Sequence, residues 1–177
     1  MYHISDDVRA QKSAKRICDV LIDYSKKKPF SDISVSDLNR EYLISRTTFY
    51  RLFDNTVDVL EYMAGQMAQE ILLHLEGSTL KEQVIYAISQ LQSRKDIVLL
   101  LFNSGHFDLF QKKGAEYIPQ SNLTIDGDVD FLYFNTILSY VISLTAELWV
   151  SEGMKDSPEK VYDKIGQSIA LLGKWFS

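Results

Sequence analysis

The stretch "ISRTTFYRLF", residues 44–53, brings two arginines and three aromatic rings into ten positions. Wound as a helix, it places Phe49 and Phe53, four residues apart, on one side and leaves Arg46, Thr47, Tyr50 and Arg51 on the other. The two phenylalanines are therefore expected in a core. Ser45 reads as the cap of this helix, because its hydroxyl can accept a free backbone N–H of the first turn, and the helix is expected to run through Leu52 or Phe53.

Upstream, Ser34 with Asp37 three residues on marks the start of another short helix, with Val35, Leu38 and Tyr42 facing inward. Downstream, Asn55 followed by Asp58 repeats the pattern and opens a long helix to about Glu76. Before all three, residues 8–28 carry Ala14, Ile17, Cys18, Leu21 and Tyr24 on one face and end just ahead of Pro29. A first helix bracing two short helices that meet at a tight turn is the helix-turn-helix arrangement, whose second helix can lie in the DNA major groove. The outward residues suit that role. Arginine can bond guanine in bidentate fashion or pair with phosphate, threonine can touch a base edge, and a tyrosine hydroxyl can reach a phosphate oxygen. A solvated helix face would carry the same residue types, so spacing alone leaves both readings open.

Charge adds a gradient. The 177-residue chain has a formal charge of −5, which argues against a general polyanion binder, yet residues 1–57 sum to +2 and residues 58–177 to −7. The N-terminus has no apolar run followed by a cleavage site, and Cys18 is the single cysteine, a core residue by its helical position. The greasiest segment, 131–150, carries Asn135, Thr136, Ser139, Ser143, Thr145 and Glu147 and is expected to be a buried helix rather than a membrane span. A cytoplasmic location is the expectation that follows.

Residues 34–60, SVSDLNREYLISRTTFYRLFDNTVDVL, resemble the DNA-binding signature of the TetR/AcrR family of transcriptional regulators. In approximate form this is a capped helix, a turn, a Ser-x-x-Thr-x-Tyr-x-x-Phe helix and a lysine-containing start to the fourth helix. Ser34, Leu38, Ile44, Ser45, Phe49, Tyr50 and Phe53 fall on matching positions, and with the preceding helix the resemblance covers about residues 8–62. It implies a dimeric repressor on a palindromic operator, with an effector in the C-terminal part. The implied DNA-contacting set is Ser34, Ser36, Ser45, Arg46, Thr47, Thr48, Tyr50, Arg51 and Thr56. Two positions depart from the pattern. Leu43 stands where the family usually has glycine in the turn, so the backbone there must avoid or tolerate a left-handed conformation. Thr56 replaces a phosphate-directed lysine and retains only a hydroxyl donor.

The remaining chain reads as longer helices at about 79–92, 94–104, 106–117, 129–152 and 158–176, with a loop over 118–130 and Pro158 at a first helical position. The expected fold is all-α with about nine helices, a DNA-binding domain over 1–57 and an effector-binding and dimerisation bundle over 58–177. Phe134, Leu138, Val141, Ile142, Ile165, Ile169 and Leu172 are the expected homodimer contacts. Tyr86, Phe102, His106, Phe107, Phe110, Tyr140 and Trp149 are the expected lining of a pocket for a small apolar or aromatic effector, although aromatics at helical spacing more often form core. No metal-ligand cluster, phosphate loop or nucleophile–base pair is evident, so no cofactor and no enzymatic activity are expected. Asp126, Asp128 and Asp130 read as loop and cap residues rather than calcium ligands. A co-regulator that acts through protein contacts, with weakened DNA binding, is the alternative that Thr56 and the modest +2 leave open.

Overall fold

The computed structural model describes residues 1–73, 79–117 and 131–176. Among these the chain is all-α, with nine α-helices: α1 (Val8–Ser25), α2 (Val35–Tyr42), α3 (Arg46–Leu52), α4 (Thr56–Leu73), α5 (Leu80–Ser93), α6 (Lys95–Asn103), α7 (Asp108–Tyr117), α8 (Phe131–Ser151) and α9 (Pro158–Phe176). A turn of 3₁₀ helix, Phe30–Asp32, joins α1 to α2. The expected loop over 118–130, with its three aspartates, lies outside the described residues. No described helix is long and apolar enough to cross a membrane.

The starts of the helices follow the sequence signals. Asp7 caps α1 by accepting from the Arg9 N–H, Thr79 and Glu82 form a capping box on α5, and the Asn55 side chain accepts from Asp58 N–H at 3.0 Å at the head of α4. α1 stops at Ser25, short of the expected residue 28, and the next N–H groups fold back onto Asp23 and Tyr24. α1 buries Ala10, Ala14, Ile17, Cys18 and Leu21, so Cys18 is core as its spacing implied, and burial pushes its thiol up to about 12.

α4 is the element shared by both ends of the chain. It packs against α1, and most extensively against α7. Lys113 on α7 is buried with its ammonium on Glu61 of α4 at 2.8 Å and on Glu116 at 2.9 Å. Burial works against that charge, and the two carboxylates outweigh it, so the ammonium holds its proton more tightly than an ordinary lysine.

For α8 the expected burial includes cover by a two-fold partner, and its own chain supplies part of it. It is buried on one side only: Ser143, Ala146, Trp149 and Val150 face the core, whereas Tyr133, Ile137, Tyr140, Leu144 and Leu148 are exposed. Apolarity nearly all round cannot distinguish a helix enclosed by its own chain from one with an apolar side left open.

Leu43 resolves the question left by the missing turn glycine. It ends α2 in the left-handed region, with φ 56° and ψ 30°, and its side chain is 81% exposed. For an L-residue with a Cβ this conformation costs roughly 1–2 kcal/mol, part of which glycine returns as unfolded-state entropy. Leu43→Gly is therefore expected to stabilise the chain by about 0.5–1 kcal/mol, because little buried surface is lost. Thermal or urea unfolding of the variant checks this, and a lower midpoint would show that the turn relies on the leucine.

Candidate nucleic-acid interface

Capping sets the geometry of the two short helices. At α2 the Ser34 hydroxyl accepts from Asp37 N–H, while the Asp37 carboxylate takes the Ser34 N–H at 3.0 Å and the Ser34 hydroxyl at 2.8 Å. At α3 the Ser45 hydroxyl accepts from Thr48 N–H at 3.0 Å and donates to the Thr48 hydroxyl at 2.8 Å. The turn between them is closed by Asn39, whose side-chain amide donates to the Ile44 carbonyl at 3.0 Å.

α3 has two unlike sides. Phe49 and Phe53, at its end, are fully buried, as is nearly all of Leu52, with the Phe49 and Phe53 rings 5.9 Å apart and Phe53 edge-on to Tyr62 of α4. Arg46, Thr47, Tyr50 and Arg51 are exposed, and Thr48 is half-buried. The Arg46 guanidinium donates to the Ser36 hydroxyl of α2 at 2.8 Å, which ties the two helices together across the outer face. The Tyr50 ring stands edge-on against Phe49 with its side chain 54% exposed. Thr56 opens α4 half-buried, and Ser34 is committed to its cap.

α1 braces the pair. Lys27 donates to Asp23 and to the Tyr42 hydroxyl, both at 2.9 Å, and Tyr42 in turn donates to Asp23; Tyr24 meets the Tyr42 ring edge-on. Those donors hold the Asp23 carboxyl below the usual carboxylate range, the Tyr42 hydroxyl being the main cause. Sequence reasoning missed a further brace at residues 1–3. His3 N–H donates to the Leu52 carbonyl at 2.8 Å, Tyr2 pairs with Phe53 as an isolated antiparallel bridge, and the His3 ring lies 3.1 Å from Asp54. Nothing in the spacing of so short an arm signals where it docks.

The expected dimer and pocket residues separate by burial. Phe134, Val141 and Ile142 are half-buried, Ile165 is buried, Ile169 and Leu172 are exposed, and the Leu138 side chain lies outside the described set. Besides Ile169 and Leu172, open apolar surface runs along Tyr133, Ile137, Tyr140, Leu144 and Leu148, a stripe outside the expected contact set, although its spacing of three and four could have revealed it. Beside it a cavity of about 390 Å³ between α8 and α9 is lined by Val141, Leu148, Trp149, Ile165, Ile169 and Leu172 among others. Of the expected pocket set, Phe107, Phe110 and Trp149 are buried, Tyr86, Phe102 and His106 are half-buried, and Tyr140 lies on the outer stripe. Trp149 donates its ring N–H to the Asp156 carbonyl, and His106 Nδ1 lies 2.7 Å from the Ser104 carbonyl oxygen, so both have local partners.

Two short helices meeting at a turn, braced by α1 and followed by a larger helical bundle, define an all-α architecture, and comparison with solved structures gives that fold a name. The chain has the fold of TetR-family transcriptional regulators. A TetR transcriptional regulator from Streptococcus agalactiae superposes with a TM-score of 0.62 at 16% identity, covering 88% of this chain and 92% of that one. A protein assigned as a TetR-family transcriptional regulator from Syntrophomonas wolfei superposes with a TM-score of 0.64 at 13% identity, covering 88% and 91%. The fatty acid degradation regulator FadR from Bacillus halodurans does so with a TM-score of 0.54 at 15% identity, covering 88% and 93%. No family model matches the sequence, and no curated protein matches it significantly.

Asp37 links the α2 cap to pH. It is buried, and the Ser34 N–H and hydroxyl, with Lys28 at 3.2 Å, hold its carboxyl far below the usual carboxylate range. A carboxyl whose folded pKa is depressed adds stability that is complete above its unfolded value of about 4 and is lost as pH falls toward the folded value. Asp37→Asn is expected to lower the Tm at neutral pH and to flatten its decline below about pH 4. Scanning calorimetry across pH tests this; an acid limb identical to that of the parent chain would remove Asp37 from the linkage.

Proposed function

We propose that the chain is a TetR-like transcriptional regulator that binds a palindromic operator as a homodimer, acts as a repressor, and responds to a small effector held by the C-terminal helices. On this reading residues 1–57 form the DNA-binding domain, residues 58–177 form the effector-binding and dimerisation domain, and the protein works in the cytoplasm. The carrying observation is the division of α3, with Phe49, Leu52 and Phe53 sealed in the core while Arg46, Thr47, Tyr50 and Arg51 face solvent beside Ser36. A short helix anchored on one side and presenting arginine, threonine and tyrosine on the other fits major-groove recognition, with Ser45, Thr48 and Thr56 near enough in sequence to serve the backbone contacts.

The exposed apolar stripe of α8 and the exposed Ile169, Leu172 and Trp175 of α9 support the dimer. Monomeric proteins rarely leave so continuous an apolar face in water, and a two-fold partner can set the same stripe into the cleft between α8 and α9. A dimer also supplies two recognition helices for half-sites about 34 Å apart. Because α4 touches both α1 and α7, an effector that prefers one tilt of α4 shifts the population between DNA-competent and incompetent states.

Arg46→Ala and Tyr50→Ala are each expected to weaken operator binding by roughly tenfold or more at matched salt while leaving helicity intact. Fluorescence anisotropy with the chain's own upstream DNA measures this. Unaltered affinity would take both residues out of the mechanism, and no binding by the parent chain would favour the co-regulator reading. Separately, Ile137→Glu combined with Leu144→Glu should give a folded monomer by sedimentation, since a charge buried unpaired in an apolar interface costs several kcal/mol. A dimer that survives both substitutions would place the interface elsewhere.

A further inference from the structure

Between α1, α4 and α6 lies an open groove of about 500 Å³, away from the α8–α9 face and the outer side of α3. That volume is in the range that takes a single small molecule. Its floor is apolar: Cys18 and Ile22 come from α1, Met63 and Met67 from α4 and Ile97 from α6, with the Tyr62 ring as a wall. Methionine sulfur and a tyrosine face both favour aromatic rings.

The rim is cationic in an acidic chain. Lys12, Lys15 and Arg94 stand against Asp19 and Glu70, a net of +1 where the whole chain carries −5. Lys15 is paired with Asp19 at 2.7 Å and Arg94 with Glu70, whereas Lys12 has no ion pair among the described residues. Lys12 and Lys15 are three residues apart on one face of α1, so one anionic group can reach both. The Cys18 thiol, pushed up to about 12 by burial, stays neutral beneath that anion.

We propose that this groove is a binding site for an aromatic monocarboxylate, with its ring over Met63, Met67 and Tyr62 and its carboxylate on Lys12 and Lys15. Its regulatory consequence rests on the reading of the chain as a regulator. An occupant touches α1, which braces the recognition helix, together with α6 of the bundle and α4, which runs between them, so it fixes their relative tilt.

The test uses the full chain labelled with carbon-13 at its methionine methyls, of which there are four: Met1, Met63, Met67 and Met154. Titration with 2-naphthoate is expected to move the Met63 and Met67 signals saturably and to leave Met154 in place. The uncharged 2-naphthalenemethanol, and 2-naphthoate on the Lys12→Glu, Lys15→Glu double variant, should each bind at least about tenfold more weakly. Equal affinity for the alcohol, a response confined to Met154, or no saturable response to 2-naphthoate overturns the proposal. So does saturation of the groove only by an acidic helical peptide, which would assign it to a protein partner. Operator binding by the ligand-free chain, measured alongside, keeps the two readings apart: a chain that takes 2-naphthoate at Met63 and Met67 yet binds no operator without it counts against the operator-binding reading and leaves the site standing.

Discussion

Phe49 and Phe53 are packed to zero exposure, one within α3 and the other at its end, and the outer face of that helix exists because they are. A helix of seven residues is too short to hold itself in water, so its orientation comes from the surface it buries. Each ring contributes about 1.5–3 kcal/mol of burial, more than any polar contact the helix makes on its exposed side. The rings sit four residues apart, and that spacing dictates that positions 46, 47, 50 and 51 turn outward. Anchoring and presentation are the same geometric fact seen from two sides.

The parts around α3 serve to hold that fact in place. The Ser34–Asp37 box and the Ser45 cap set where the two helices begin, and the Arg46–Ser36 bond joins them on the open side. The short arm at residues 1–3 closes over Leu52 and Phe53. Against these, Leu43 keeps the turn in a left-handed conformation that its Cβ disfavours. A strained residue persists where its surroundings over-determine it, and here the helices on both sides, each with its own cap, supply that constraint.

Much of this was legible in advance. Capping residues and helical spacing locate every start from α1 to α5 to within about two residues, because a cap acts over three or four positions and needs no distant partner. The inward and outward sides of α3 were legible for the same reason. The docking of residues 1–3, the pairing of Lys113 with Glu61 and the side of α8 left open were not, because each depends on contacts between groups about fifty residues apart or on what fails to cover a surface. The expected dimer residues show the limit. Val141 and Ile142 share a helix with the exposed stripe and are of the same apolar character, and only packing against the core separates them.

By itself, then, the sequence determined what local periodicity and local hydrogen bonding can encode: an all-α chain, three closely spaced helix starts, and a short helix with aromatic and polar sides. Tertiary structure decided how α4 joins α1 to α7, which apolar side of α8 stays open, and where α1, α4 and α6 leave a groove with a cationic rim. The reason is one of range. Backbone caps and side-chain spacing are satisfied within a turn or two, whereas burial is a property of surfaces that meet only after the chain has folded.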